Sequence, residues 1–389
     1  MSEFDTGVEW RLLTEIFDIK SGYTPSKARP EFWDSGSIPW FRMEDIRKNG
    51  RILSDSIQHI APQAIKGDGL LPANSIIIAT TATIGEHALI TVDSLANQQF
   101  TCLSRKVNCC DLIDMKFFFY YCHIIGDWCK RHTNNSGFAS VDMGKFKKLK
   151  IPLPPLEIQQ EIVRILDTFT ELEAELEAEL EARKTQYEYY RNELLAFRDF
   201  ALDAPSSKVK ICQLGEMLKS GAVSSIIPPV RLQKKDIFGK GKYPVISQGE
   251  KIIDGYTDDE KGVLAPNTYV VFGDHTEVIK YVDFAFAQGA DGLKIMKTKP
   301  EDMLAKYLYY ALNAYYRKTG KYMRHFGKLR RTQIPIPPIE VQQDIVNKLD
   351  AFSALVNDIT TGLPAELYAR RQQYEYYRNK LLTFKELSR

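Results

Sequence analysis

No run of 18 or more apolar residues occurs in the 389-residue sequence, so no membrane-spanning helix and no membrane partner are expected. The opening stretch, MSEFDTGVEWRLL, is mixed and acidic. It has neither the basic start nor the apolar core of a secretory signal. A disulfide framework is missing too. The six cysteines (Cys102, Cys109, Cys110, Cys122, Cys129 and Cys212) divide five to one between the halves, and two of them are adjacent. A reducing cytoplasm is the expected location.

Catalytic signatures are equally scarce. There is no G-x-x-x-x-G-K-[ST] phosphate loop, no strand followed by GxGxxG, no HExxH and no GxSxG. The stretch Gly239-Lys240-Gly241-Lys242 is a basic turn. Six histidines are scattered; Cys129-x-x-His132 near Cys122 has no second Cys pair to complete a zinc site, so no metal is expected. The Pro-Pro pairs at Pro154, Pro228 and Pro337 lack the preceding acid or amide and following aromatic of an adenine methyltransferase motif. Asp259-Glu260-Lys261 has the spacing of half a nuclease motif, but adjacent charges of this kind are ordinarily solvated. No catalytic residue is assigned.

What is present is a long internal repeat, the feature to seek first in any chain. IPLPPLEIQQEIVRILDTF begins at Ile151 and IPIPPIEVQQDIVNKLDAF at Ile334, 183 positions later. QYEYYRNELLAF begins at Gln186 and QYEYYRNKLLTF at Gln373, 187 positions later. Weaker echoes lie upstream: Gly144-Lys145 against Gly327-Lys328, Lys116–Tyr121 against Lys306–Tyr310, and Ile19–Gly22 against Leu218–Gly221. The chain therefore reads as variable domain, long helix, variable domain, long helix.

The prolines suit the first turn of each helix. Beyond them, apolar residues recur every three or four positions, from Ile158 through Phe169, Leu180 and Tyr190 to Leu194, and again from Val341 to Phe384. Gly362 and Pro364 should interrupt the second run. A helix from Leu156 to Phe197 would be about 60 Å long. Its matched repeat, running antiparallel, is the expected partner for so long an apolar stripe. LEAE units at Leu172, Leu176 and Leu180 read either as a solvated acidic helix or as a spacer, each unit adding ~6 Å. The variable domains read as mixed α/β. Strands are expected at Ser75–Ala79 and Tyr269–Phe272, and aromatic-rich helices near Leu112–Arg131 and Glu301–Arg317.

Charge adds to the division. The net charge is +2, yet residues 151–200 carry 5 basic against 12 acidic side chains, and residues 201–333 carry 22 against 14. The basic segment suits a polyanion.

The two IP[LI]PP[LI]E[IV]QQ[ED]IV segments, the two YEYYRN[EK]LL[AT]F segments, Ser21–Pro25 with Ile38-Pro39-Trp40, and Phe272–Thr276 closely resemble the specificity subunits of type I restriction–modification enzymes. The resemblance covers nearly the whole chain. It implies an α/β (α+β) fold with a pseudo-twofold internal repeat. Two target-recognition domains (1–150 and 201–333) would be separated by two long helices, a central one (151–200, with LEAE repeats) and a C-terminal one (334–389), forming an antiparallel coiled coil. It implies that each domain reads one half of a bipartite site on double-stranded DNA and that the helices set the spacer. Two methyltransferase subunits would dock on the repeated segments and two motor–nuclease subunits would join. The chain itself would be non-catalytic within a restriction endonuclease and adenine-N6 methyltransferase complex. It would hold no cofactor; its partners would bring S-adenosylmethionine, ATP and Mg. Two other readings are a coiled-coil adaptor that does not read DNA and a fused methyltransferase or nuclease. The basic segment counts against the first, and the missing motifs count against the second.

Base edges are read by Arg or Lys at guanine and by Asn or Gln at adenine, while phosphates take cations and hydroxyls. In the first domain the candidates are Thr24, Lys27 and Arg29; Arg42, Lys48 and Arg51; Thr80, Thr81 and Thr83; Gln98 and Gln99; Asn134 and Asn135. In the second they are Lys234, Lys235, Lys240 and Lys242; Gln248, His275, Thr276 and Gln288; Lys321, Arg324 and His325. Lys145, Lys147 and Lys148 recur as Lys328, Arg330 and Arg331, a shared position that suits a sequence-independent phosphate contact. Trp40 reads as core. Tyr187, Tyr190, Tyr374 and Tyr377 lie on the helix seam, and with Arg191 and Arg378 they are the candidates for docking a partner present twice.

Overall fold

The computed structural model describes residues 8–67, 69–134, 139–197, 209–228, 230–289, 292–357 and 362–386. The chain forms two compact units, Met1–Glu175 with Tyr368–Arg389, and Leu176–Leu367.

In the first unit, Phe17–Ser21, Phe100–Arg105, Ser75–Ala79, His87–Ile90 and Ile52–Leu53 form one sheet in that order, antiparallel except for the last pair. Ser75–Ala79 is buried on both faces, and its alternation decides what each face meets. Ile76 and Ile78 join the cluster around the aromatic helix, whereas Ile77 and Ala79 join Phe41, Met43 and Leu53. The helix, Met115–Arg131, starts where Asp114 accepts hydrogen bonds from Lys116 N and Phe117 N, satisfying donors that a first turn leaves open. It lies so close to the sheet that a Cβ at Gly126 would meet the Gly85 carbonyl oxygen at 2.5 Å.

The second unit repeats this plan. Val223–Ile226, Leu293–Thr298, Tyr269–Gly273 and Ile279–Val282 make an antiparallel sheet. Val270 and Phe272 face the helix Ala305–Tyr315, and Tyr269 and Val271 face the other way. A second sheet holds Tyr243–Ile246 between Gly255–Thr257 and Phe286–Gln288, with Val263–Leu264 beyond. Both expected strands and both aromatic helices are therefore present, the first helix starting three residues later than the apolar pattern suggested and the second shorter at both ends.

Each unit is closed by the same device. Glu9–Leu12 pairs antiparallel with Lys150–Leu153, and Lys210–Gln213 pairs antiparallel with Gln333–Ile336. The chain leaves each pair through its Pro-Pro turn into a helix, and there two buried glutamines do equivalent work. Gln159 accepts from Asp114 N at 2.8 Å and donates to Leu112 O and Pro154 O. Gln342 accepts from Leu304 N at 3.0 Å and donates to Asp302 O and Pro337 O. Eight residues further on, Asp167 takes Lys116 Nζ and Tyr120 Oη, each at 2.6 Å. Asp350 takes Lys306 Nζ at 2.7 Å and Tyr310 Oη at 2.6 Å. The weak upstream echo of Lys116–Tyr121 at Lys306–Tyr310 is thus the other half of a partly buried polar lock.

The central helix runs unbroken from Leu156 to Ala196, whereas the second copy is two helices, Ile339–Asn357 and Leu363–Leu381. The interruption expected at Gly362 and Pro364 stands at the start of the latter. In the first unit the helices pair antiparallel: Glu173 meets Arg371 at 2.6 Å, and Phe169 stacks on Tyr377. In the second unit Tyr190 meets Phe352 with ring centroids 5.5 Å apart. The pairing is therefore crossed, the start of the first copy with the end of the second and the end of the first with the start of the second. The seam differs from the sequence expectation. Fully buried positions cluster at the helix ends, at Ile162, Leu166 and Leu195, while Leu172 in the acidic LEAE stretch is exposed. Glutamates on adjoining faces hold this middle segment in water.

Candidate nucleic-acid interface

In the second unit, the strands Tyr269–Gly273 and Ile279–Val282 are joined by a tight turn closed by Gly273 N to Val278 O and Glu277 N to Gly273 O. His275 and Thr276 lie at its accessible side. Thr276 Oγ1 donates to Gln248 O at 2.6 Å, and Gln248 Oε1 accepts from His275 N at 2.9 Å. Gly292, with φ at +86°, permits this closeness; a Cβ there would lie 2.9 Å from Gln248 Nε2. Lys280 is buried beneath and donates to Ser247 O and Lys251 O, and desolvation lowers its pKa. The His275 ring stacks on Tyr322 at 5.2 Å. Gln248, His275 and Thr276 thus form one face with the loop that carries Lys321 and Arg324, both exposed.

Two sequence candidates in this unit are placed differently. His325 is buried, its Nε2 2.7 Å from Lys321 O and its Nδ1 3.3 Å from Glu277, so it holds the loop from beneath. Gln288 is buried in a strand beside Ile246. Lys234, Lys235, Lys240 and Lys242 are exposed around the second sheet's connections, and Lys242 pairs with Glu260 at 2.5 Å.

In the first unit, Thr24, Lys27, Arg42 and Gln98 line one cavity of about 490 Å³ together with Trp33, Trp40, Gln58 and Asn97. Thr24 Oγ1 donates to Gln98 Oε1. Trp40 is buried, as its apolar neighbours suggested, and its Nε1 donates to Tyr23 O. The Arg42 guanidinium lies 5.6 Å from the Trp40 ring, its Nε shielded from water and without a hydrogen-bond partner among the described residues. A second cavity of about 730 Å³ collects Arg47, Arg51, Thr83 and Lys130. Arg29, Lys48, Arg51 and Lys145 each pair with a nearby acid, at 2.7, 2.8, 2.9 and 3.4 Å respectively. Exposed pairs of this kind are worth about 0–1 kcal/mol, so they leave the cations available to phosphate. Thr80 departs from expectation: it is buried, bonded to Thr101 Oγ1. Thr81 bridges to Ser140, Gln99 N donates to Asn97 Oδ1, and Asn134 is exposed in a short hairpin. Asn135 lies outside the described residues.

The repeated basic clusters occupy matching places, on and after a one-turn helix just ahead of the closing strand pair. Lys145, Lys147 and Lys148 follow Asp142, which caps Met143–Phe146 through Gly144 N and Lys145 N. In the second unit the cap of Phe326–Leu329 comes from the distant turn, where Asp274 accepts from His325 N and Phe326 N at 2.8 and 2.7 Å. Lys328 Nζ reaches Arg317 O, and Arg330 and Arg331 are exposed.

The QYEYYRN segments repeat in detail. Tyr187 and Tyr374 pack inward, and desolvation raises the pKa of both, that of Tyr187 to about 12. Tyr189 and Tyr190 are 61% and 40% exposed, and Tyr376 and Tyr377 are 60% and 41% exposed. Arg191 lies over Tyr187 and Arg378 over Tyr374, and both guanidinium Nε atoms are shielded without a partner among the described residues. In the first unit this surface borders a groove of about 780 Å³ lined by Ile165, Phe169, Leu172, Tyr377, Leu381 and Phe384. Sequence reasoning missed Asp274, Glu277, Tyr322, Gln159 and Gln342. For the glutamines, their identical place in both repeats was the available signal.

One scaffold built twice, carrying two unlike basic faces and two like tyrosine faces, defines a duplicated recognition protein. Residues 6–182 and 207–369 match the family described as "Type I restriction modification DNA specificity domain". The chain is 42% identical to the EcoprrI specificity subunit of Escherichia coli, over 91% of this chain and 89% of that protein. It is 34% identical to the EcoR124I/EcoR124II specificity subunit of Escherichia coli, over 61% of this chain and 63% of that protein. Among solved structures, one described as the "Type-I restriction-modification system S subunit from M. genitalium" aligns over 97% of this chain and 96% of that chain. Its TM-score is 0.55 at 15% identity. Another, from a study of complex assembly in the type I R-M system, aligns over 98% and 99% with a TM-score of 0.66, also at 15% identity. The chain belongs to the specificity subunits of type I restriction–modification systems.

Proposed function

We propose that each unit reads one element of a split sequence on duplex DNA, that the helices fix the gap between the elements, and that the repeated tyrosine faces dock two methyltransferase subunits. The observation that carries this reading is duplication with divergence. The buried glutamines Gln159 and Gln342 and the partly buried Asp167 and Asp350 locks match bond for bond, and the exposed tyrosines match within a few per cent, yet the basic faces differ. Two identical subunits need two similar surfaces, and two different DNA elements need two different ones. The apolar groove beside Tyr377 suits an apolar side chain of the methyltransferase, with an acceptor on that partner completing Arg378. The chain performs no bond chemistry in this reading. Its partners, two methyltransferases and two motor–nuclease subunits, bring S-adenosylmethionine, ATP and Mg. The complex works in the cytoplasm.

The test is a selection on random duplex DNA with the full chain co-expressed with its methyltransferase. A motif of two short elements separated by unspecified bases is expected. Deleting one unit, Leu172–Glu175, removes ~6 Å of helix and should shorten the gap by about one to two base pairs. A single contiguous motif, or none, would overturn the two-reader model in favour of an adaptor.

A further inference from the structure

The loop between the helix Ala305–Tyr315 and the one-turn helix Phe326–Leu329 carries Arg317, Lys318, Lys321 and Arg324 with no acid among them. At its tip Tyr322 is 88% exposed and Met323 is 53% exposed. An apolar tip between cations is costly in water and useful against DNA, where rings and methyl groups meet base edges while cations meet phosphate.

The loop is not held by its own contacts alone. Glu277, in the turn of the neighbouring hairpin, sends a carboxylate beneath it. That carboxylate accepts from Tyr316 Oη at 2.6 Å, from Thr319 N at 2.8 Å, from Thr319 Oγ1 at 3.0 Å and from Gly320 N at 2.8 Å. Glu277 is 2% exposed and has a φ of +58°, a left-handed conformation unfavourable to a glutamate. Strain in a residue whose side chain makes so many bonds marks a position fixed by a task. Asp274, on the same turn, holds the far end of the loop through His325 N and Phe326 N. His275 between them supplies the ring on which Tyr322 stacks.

We infer that Glu277 is a positioning residue for DNA reading: it fixes the Thr319–Gly320 backbone so that Lys321, Tyr322 and Arg324 are presented, already ordered, to the second DNA element. This rests on the two-reader function proposed above and assigns one of its elements to a loop and the loop to a clamp. Ordering the loop in advance removes an entropic penalty from binding, and that penalty would otherwise fall on the selected sequence.

The experiment uses the full chain with its methyltransferase and three duplexes taken from the selection: the selected site, one with the first element scrambled, and one with the second scrambled. Glu277→Gln and, separately, Tyr322→Ala are compared with the unaltered protein. Each variant should lose roughly tenfold in discrimination at the second element, about the worth of one good base contact, and keep its discrimination at the first. Loss of folding confined to the second unit would give the same split, so the exposed Tyr322→Ala change, which leaves that unit's core intact, is what separates presentation of the loop from stability. The inference is overturned if Glu277→Gln discriminates normally at both elements. It is also overturned if Tyr322→Ala, an exposed change that leaves the core untouched, does so. If the unaltered protein selects no split site, the two-reader function itself fails, a result distinct from either.

Discussion

The two units share a frame and differ in how they present cations. The first gathers Thr24, Lys27, Arg42 and Gln98 into a recess walled by Trp33 and Trp40. The second pushes Lys321, Tyr322 and Arg324 outward on a clamped loop. Apart from the exposed tyrosine faces, what is alike lies inside, as at Gln159 and Gln342, each with several hydrogen-bond partners; what differs lies where only solvent or a ligand constrains the side chain. A buried amide that satisfies three backbone groups tolerates little change, because each orphaned group costs about 1–3 kcal/mol. An exposed lysine tolerates almost any. Duplication followed by change at the surface therefore yields two readers on one frame.

The strongest way to break this comparison is at the shared glutamines. Gln159→Leu and Gln342→Leu should each destabilise their own unit by ~3 kcal/mol or more, and by similar amounts. Urea unfolding monitored in each unit checks it; a clear loss in one unit and none in the other would show that the frames are not equivalent.

A smaller effect sharpens the difference between the faces. Arg42→Ala should weaken binding at the first DNA element by about 1–3 kcal/mol while leaving the second unchanged, the reverse of the pattern for Tyr322→Ala. Titrations with singly scrambled duplexes decide it, and equal losses at both elements would count against separate readers.

The slightest effect is confined to acid. Burial opposes ionisation of Glu277, but the hydrogen bonds from Tyr316, Gly320 and Thr319 outweigh it and lower its pKa from 4.5 to about 2. The stabilisation is therefore complete above about pH 4.5 and is lost as the pH falls towards 2. The stability difference between the unaltered protein and Glu277→Gln should shrink over that window and stay flat between pH 6 and 8. A difference that changes instead across neutrality would show that the Glu277 carboxylate is not its source.

Much of the frame was legible from the sequence. Seven consecutive identities placed the helices, a short apolar run punctuated by turn residues placed Ser75–Ala79, and Gly362 with Pro364 placed the break. The crossed pairing was legible as well, since two matched apolar stripes running antiparallel must set the start of one copy against the end of the other; the retreat of the seam to the helix ends was not. Thr80, Gln288 and His325 show the limit at the candidate site. A polar residue looks the same in sequence whether water or a distant buried partner satisfies it. The partners of His325 come from Glu277 and the Lys321 carbonyl, and only the fold brings them together.

The first unit is made from both ends of the described chain: Leu382 is buried among Leu13, Phe117 and Ile162, and Phe384 meets the Phe117 ring edge-on at 6.1 Å. On the ribosome the aromatic helix emerges early, but its cover arrives only after nearly all of the second unit has been made. At about 5–20 residues per second the delay is roughly 13–50 s. Throughout that interval an apolar surface shaped for a segment near Phe384 stands open on a nascent chain. The order of synthesis thus makes the first reader the last to be finished.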